Sequence, residues 1–326
     1  MLRVDPSGWR HVGTLGPVRL SPARYRTITL LALLALGAII VTGAAVRLTD
    51  SGLGCRDWPQ CSASKFIDVS SSHAAIEQLN RLFTGIVSVA VILAVLGSLV
   101  RVPRRRDLTW LAVGLVGGVL AQIVLGGITV LVDLNPVAVQ GHMLVSLALV
   151  ATAVTLVQRA GEPDDGALVR PVSPEISRHA AGVAVLTAIA LVTGTVVTGA
   201  GPHAGDEDAK RLDIAIETAA RIHGIAVLTA IAAMVVLGLR LRRRPAERAE
   251  LAEWISAWIF VALLQGTIGY IQYFSDVPPL LVGIHVAGAT ILWATTVALV
   301  LRTRPMRRQE VELRAPVPAA AVAVPT

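Results

Sequence analysis

Three histidines of this sequence lie inside long apolar stretches: His142, His223 and His285. An ionisable side chain is costly in such a stretch, so each one is a candidate for a functional role. Imidazole nitrogens ligate metal ions and haem iron. The alternative is that the three form hydrogen bonds between helices, as polar residues in helical bundles commonly do. The positions of the three histidines in the sequence, and their depths in the predicted helices, distinguish between these two interpretations.

An internal repeat relates two of these histidines. Four pairs of identical residues are each separated by 143 positions: Gln122 and Gln265, Gly126 and Gly269, Pro136 and Pro279, and His142 and His285. Proline favours the first turn of a helix, so both histidines lie about 9 Å into their helices at a rise of about 1.5 Å per residue. His223 lies roughly one and a half to two turns into its own predicted helix from the same outer face, at a similar depth. Two imidazoles at one depth, His223 and His285, fit the axial ligands of a six-coordinate haem iron.

The first half of the repeat differs at one position. The separation of 143 maps His223 onto Asn80, so an amide stands opposite His142 there. Glu77 precedes Asn80 by three residues and Arg81 by four. Side chains at these spacings share one face of a helix. We predict catalytic roles for Glu77 and Asn80. The alternative for Glu77 is a plain ion pair with Arg81.

The amino-acid composition indicates whether these residues belong to a water-soluble protein or to a membrane protein. The chain has 326 residues, of which 54% are hydrophobic and only 16% charged, and a mean hydropathy of +0.67. This is too apolar for a water-soluble domain. About 20 apolar residues cross a hydrocarbon core of roughly 30 Å. Stretches of that kind occur at 25–47, 74–100, 108–132, 137–158, 180–200, 214–240, 251–274 and 279–301. We therefore predict an all-α membrane protein with eight transmembrane helices.

The repeat divides these helices into two pseudo-symmetric four-helix bundles. Four is an even number, so both halves enter the membrane from the same side and the repeat is parallel. Shorter matches support the division, because Val-Thr-Gly occurs at 41–43 and at 192–194. The predicted segments are an N-terminal segment 1–24, a first half 25–158, a linker 159–179, a second half 180–302 and a tail 303–326.

The distribution of positive charge predicts the orientation. Most of the 29 Lys and Arg residues fall in the termini and in alternate loops, and cytoplasmic loops retain positive charge. Both termini are therefore predicted to be cytoplasmic. Topology and anionic membrane lipid account for the net charge of +7, so we exclude nucleic acid as a partner.

The only two cysteines, Cys55 and Cys61, fall in the predicted outer loop between the first two helices. That side of the membrane is oxidising in bacteria, which favours a disulfide bond. The bond is either structural or redox-active, exchanging with the thiols of a partner.

The stretch from Val46 to Cys61, VRLTDSGLGCRDWPQC, closely resembles the first outer loop of the haem A synthase family. Further agreement lies in Ile76-Glu77 with Asn80-Arg81, in GPHAGD at 201–206, and in the three helix histidines. The resemblance covers most of the chain apart from its two ends. It implies a bacterial cytochrome oxidase assembly enzyme of eight helices in the plasma membrane.

The resemblance also implies roles for individual residues. The family holds a haem b cofactor in its second half between two axial histidines, and His223 and His285 match them. Its first half binds the haem substrate through a glutamate and a histidine on helix 2 and a histidine on helix 4. Glu77 and His142 match this pattern, whereas Asn80 stands where the family has the helix 2 histidine.

This departure leaves two possibilities for the substrate iron. Either His142 holds it alone, or another residue such as His73 takes the place of the missing histidine. Three side chains near the outer surface are candidates for binding haem propionates: Arg47, Arg81 and His203.

The activity implied is that of an oxidoreductase, which converts the C8 methyl group of haem O to a formyl group through a hydroxylated intermediate. Expected partners are a haem O synthase, the terminal oxidase assembly machinery and an electron acceptor that the sequence does not identify. One alternative is a haem b electron carrier that modifies no haem, which would favour matched histidine pairs in both halves. A transporter is a third class, but the broken helices typical of transporters are not evident.

Overall fold

The computed structural model describes residues 19–309 of the chain. It contains eight helices, α1 (Pro22–Leu48), α2 (Ser72–Val100), α3 (Arg106–Leu131), α4 (Pro136–Ala160), α5 (Pro174–Ala200), α6 (Ile216–Leu241), α7 (Pro245–Phe274) and α8 (Pro279–Arg302). Each helix is long and apolar enough to cross a membrane. The prediction of an all-α, multi-pass membrane protein is thus confirmed. Most of the predicted N-terminal segment, and the tail beyond residue 309, lie outside the described residues.

Local sequence signals determine where several helices begin. Five helices have proline in the first turn: Pro22, Pro136, Pro174, Pro245 and Pro279. Proline suits this position because its missing N–H group would have no partner within the helix. Ser71 precedes α2 and accepts a hydrogen bond from the Ala74 N–H group, which satisfies one of the free donors of the first turn.

The helices pack into two apolar cores, each drawn from four consecutive helices. Buried residues of α1 to α4, including Tyr25 and Leu108, form the first core. Those of α5 to α8, including Met234 and Trp258, form the second. A smaller cluster containing Ile40 joins α1, α4 and α8 across the middle. This grouping follows the predicted halves, and the pseudo-symmetric relation between them stays a prediction.

One end of the bundle carries the disulfide loop between α1 and α2, and we call it the Cys-loop end. Here α1 reaches into the second half, because Arg47 donates from Nε to the His203 carbonyl oxygen at 2.5 Å and from Nη2 to the Thr198 carbonyl oxygen at 2.7 Å. The Gly52 N–H group donates to the Gly205 carbonyl oxygen at 2.8 Å. These contacts fix the loops of the two halves against each other.

At the opposite end of the bundle, the predicted linker between α4 and α5 forms secondary structure. The segment between α4 and α5 forms a strand, β1 (Ala167–Val169), which pairs antiparallel with β2 (Met306–Arg308) after α8. Arg101 is buried and forms a two-oxygen ion pair with Asp164 at 2.7 and 3.0 Å. These contacts tie the predicted linker to the helix ends.

Candidate functional site

Two imidazole rings face each other near the Cys-loop end of the second half. His223 on α6 and His285 on α8 have ring centroids 6.5 Å apart, and their ring planes lie at 80°. Two metal–imidazole bonds of about 2 Å in line, plus about 1.1 Å from each nitrogen to its ring centre, give about 6.2 Å. The observed distance therefore matches one metal ion held between the two rings.

Hydrogen bonds fix one of these rings in the orientation that a ligand needs. His223 Nδ1 lies 3.0 Å from the Ala190 carbonyl oxygen and 3.3 Å from Thr193 Oγ1. A bond from Nδ1–H to a carbonyl oxygen leaves Nε2 unprotonated and available to a metal ion. The Nδ1 atom of His285 is buried and has no hydrogen-bond partner among residues 19–309. These two histidines could therefore hold a haem iron axially.

Each of the three helix histidines packs against a glycine on a neighbouring helix. A Cβ atom on Gly194 would lie 3.2 Å from His223 Cε1. On Gly126 and Gly269 it would lie 3.4 Å from Cε1 of His142 and of His285, respectively. The glycines thus leave room for imidazole rings beside the helix backbone. The repeated glycine at 126 and 269 was a sequence signal for this contact, whereas the role of Gly194 was missed.

The first half carries one helix histidine, His142, and an amide, Asn80, at the position that the repeat relates to His223. His142 on α4 has a buried Nδ1 atom without a hydrogen-bond partner in the described part of the chain. Gln122 Nε2 donates to the His142 carbonyl oxygen at 3.0 Å, which ties α3 to α4 at this level. Asn80 on α2 accepts at Oδ1 a hydrogen bond of 2.8 Å from Thr42 Oγ1. The contacts of Thr42 and Thr193 were not predicted, although both residues lie in the repeated Val-Thr-Gly sequence.

Glu77 lies one turn before Asn80 on α2 and connects this helix to the disulfide loop. Only 5% of Glu77 is exposed, and its Oε1 atom pairs with Arg81 Nη2 at 2.6 Å. Its Oε2 atom accepts a hydrogen bond of 2.7 Å from the Cys55 N–H group. The predicted Glu77–Arg81 ion pair is therefore present, and it is part of a larger cluster.

The disulfide loop packs over the same region. Cys55 and Cys61 form a disulfide bond, and Cys55 is completely buried. The ring of Trp58 lies against α3 so closely that a Cβ atom on Gly127 would approach its Cδ2 atom to 2.5 Å. The loop thereby covers the end of the first half at which Glu77 lies.

The three candidates for propionate binding all have protein partners. Arg47 donates to two carbonyl groups of the second half, as described above. Arg81 donates to Glu77 and also to the carbonyl oxygens of Asp57 and Gln60, both at 3.2 Å. His203 Nε2 lies 2.8 Å from the Val277 carbonyl oxygen. Propionate binding by these side chains stays a prediction, and it would have to use their remaining N–H groups.

Within residues 19–309, no group of three or more His, Cys, Asp and Glu side chains is arranged to hold a metal ion. A haem needs fewer protein ligands, because the macrocycle itself supplies four nitrogens and the protein only the axial positions. His223 and His285 would supply these two axial positions.

Comparison with known proteins shows the family to which the chain belongs. The model of the cytochrome oxidase assembly protein family matches residues 26–73 and 64–205, which is more than half of the chain. The chain belongs to this family. The matched ranges include Glu77, Asn80 and His142, and they end before His223 and His285.

Heme A synthases of two bacteria are similar to this chain. The one from Bacillus pumilus (strain SAFR-032) is 30% identical over 165 residues, which are 49% of this chain and 53% of that protein. The one from Lysinibacillus sphaericus (strain C3-41) is 27% identical over 165 residues, with the same shares. The similarity thus spans about half the length of each relative.

Proposed function

We propose that this protein is a haem A synthase, an oxidoreductase that oxidises the C8 methyl group of haem O to a formyl group through a hydroxylated intermediate. The observation that carries the proposal is the difference between the two halves. In the second half, two histidine rings lie at the distance expected for the two axial ligands of one haem iron. The first half has a single helix histidine, an amide and a buried carboxylate. Such an arrangement suits one retained cofactor and one substrate.

In the second half, His223 and His285 would hold haem b. A haem with two histidine ligands supplies one-electron transfer. The protein contributes the orientation of the rings, because the Ala190 carbonyl oxygen and Thr193 hold Nδ1 of His223. Gly194 and Gly269 provide the space in which the two rings lie.

In the first half, His142 would bind the iron of haem O, and the cluster around Glu77 would face the methyl group that reacts. A fixed carboxylate stabilises positive charge that develops at a carbon atom next to the macrocycle. Arg81 and the Cys55 N–H group hold the carboxylate in one orientation, so no reorganisation is needed during the reaction. The disulfide loop would exclude water from this end.

The cellular setting is also part of the proposal. The protein would reside in the bacterial plasma membrane with both termini cytoplasmic and the Cys loop outside. A haem O synthase would supply the substrate, an electron acceptor would take the electrons that the oxidation releases, and the terminal oxidase assembly machinery would receive the product. The Cys55–Cys61 bond would be either structural or redox-active.

The second candidate function is electron transfer through haem b without modification of any haem. The His223–His285 pair by itself favours it, because such a pair serves electron carriers equally well. The two functions differ in whether a new haem species appears.

Haem extraction and chromatography test the proposal. The protein is produced together with a haem O synthase in a host that makes no haem A. We expect haem A, or its hydroxylated precursor, only in cells that contain both proteins. Recovery of haem b and unmodified haem O alone would refute the proposal and leave the electron carrier.

The glycine beside His223 offers a matched pair of variants for the cofactor site. Gly194→Ala places a methyl group 3.2 Å from the His223 ring, so the ring must shift. We expect the variant to retain less haem b, by about 10-fold, as for other changes that displace a metal ligand. Gly43→Ala is the control, because in residues 19–309 no atom beyond the adjoining residues and nearby backbone of α1 lies within 4 Å of the new methyl group. Equal haem b content in both purified variants would contradict the assignment of His223.

A further inference from the structure

The two Val-Thr-Gly sequences, on α1 and α5, make equivalent contacts with the next helix. In the second half, Thr193 Oγ1 lies 3.3 Å from Nδ1 of His223. In the first half, Thr42 Oγ1 lies 2.8 Å from Oδ1 of Asn80. Asn80 therefore occupies, in the first half, the place that His223 occupies in the second.

The glycines of the same two sequences show what this replacement does to the space beside α2. A Cβ atom on Gly194 would lie 3.2, 3.5 and 3.9 Å from Cε1, Nδ1 and Nε2 of His223. Apart from the adjoining residues and nearby backbone of α1, a Cβ atom on Gly43 would have no atom of the described chain within 4 Å. The amide of Asn80 is shorter than an imidazole, so the volume that the ring fills in the second half is open in the first.

The other histidines of the described chain do not fill this position. His73 precedes Asn80 by seven residues on α2, which is about 10 Å along the helix axis. It is exposed, and its Nδ1 atom lies 3.1 Å from Ser51 Oγ. His179 and His203 each bond a backbone carbonyl group elsewhere in the bundle. The possibility that His73 replaces the missing ligand therefore has no geometric support.

Asn80 itself is not a ligand of the haem type. Axial ligands of haem iron are His, Met, Cys or Tyr side chains. The Oδ1 atom of Asn80 accepts the Thr42 hydroxyl hydrogen, which leaves two amide N–H donors on Nδ2. An N–H donor does not bind iron, but it does donate a hydrogen bond to a small molecule bound there.

We infer that the first half binds the iron of its haem through His142 alone, and that Asn80 keeps the opposite axial position open to a small diatomic ligand. This inference rests on the proposed function, because it concerns the substrate haem of that site. In the second half, both axial positions are filled by His223 and His285. The two halves would then differ in reactivity as well as in the haem they hold.

Carbon monoxide is the probe, because it binds ferrous haem only at an open axial position. The protein is purified in detergent from cells that also make haem O, reduced, and exposed to carbon monoxide while its absorption spectrum is recorded. We expect one carbon monoxide-reactive haem per chain and one unreactive haem. Asn80→His fills the space beside Gly43, so the reactive haem should become unreactive and low-spin, with total haem unchanged.

Asn80→Ala is the matched control. It removes the amide without supplying a ligand, so the carbon monoxide-reactive haem should remain. A gain of reactivity in Asn80→Ala over the unchanged protein would show that Asn80 occupies the axial position, and it would overturn the inference. A first-half haem that is unreactive in the unchanged protein would overturn it as well.

The same preparations separate this inference from the proposed function. If haem A forms in the cells but no bound haem reacts with carbon monoxide, the inference fails and the proposed function stands. If no haem O co-purifies and no haem A forms, the proposed function fails and the inference falls with it. His142→Ala should remove the reactive haem and leave the haem between His223 and His285.

Discussion

Replacement of His285 by alanine is expected to remove the retained haem b from the purified protein. The imidazole of His285 stands 6.5 Å, centroid to centroid, from that of His223, so its loss leaves the iron with one protein ligand. Even changes to groups that only orient a metal ligand cost about 10- to 100-fold in affinity, so loss of the ligand itself should cost at least that much. The measurement is the haem b content per chain by extraction and absorption spectroscopy.

The control for this prediction is His179→Ala. His179 also lies on a helix of the second half, but near the end opposite the Cys loop, where its Nε2 atom bonds the Ala233 carbonyl oxygen at 2.9 Å. We expect this variant to keep its haem b. Both variants should be present in membranes at similar amounts, as measured by immunoblot. Full haem b content in His285→Ala would refute the assignment of the cofactor site.

Replacement of Glu77 by alanine is expected to abolish haem A formation while haem b is retained. The carboxylate is buried, and it anchors both Arg81 and the Cys55 N–H group. Loss of one preorganised electrostatic group in an active site commonly lowers the rate about 100- to 1000-fold. The measurement is the amount of haem A formed per chain in cells that also contain a haem O synthase.

Two further variants separate charge from packing at this position. Glu77→Gln keeps an acceptor for the Cys55 N–H group but lacks the negative charge opposite Arg81, so we expect it to be nearly as inactive as the alanine variant. Glu217 lies in the first turn of α6 and is exposed, so Glu217→Ala should leave haem A formation unchanged. Normal haem A formation in Glu77→Ala would end the catalytic assignment.

Much of the fold was predictable because a bilayer imposes simple rules. Apolar stretches of the required length predicted all eight helices, and the prolines at 136 and 279 predicted where two of them begin. The helix bounds were less accurate at the end opposite the Cys loop. The helix α7 begins at Pro245 rather than at 251, and α5 at Pro174 rather than at 180. Hydropathy detects only the apolar part of a helix, whereas hydrogen bonding continues through its charged first turns.

The tertiary contacts of the site could not be predicted in the same way. The bond from the Cys55 N–H group to Glu77 and the reach of Arg47 into the second half join segments that are distant in sequence. Neither contact has a periodic signal. The pairing of β1 with β2 was missed for the same reason, since each strand has only three residues. The difference at Asn80 was visible from the repeat, but its consequence appeared only with the open space beside Gly43.

The central claim is that one half retains a cofactor and the other binds a substrate. The most direct measurement is the haem composition per chain of the purified protein, made with and without a haem O synthase in the same host. We predict one haem b per chain without haem O, and with haem O the same haem b plus a second haem that is haem O or its oxidised product. Two haem b molecules per chain under both conditions would contradict the claim and identify an electron carrier.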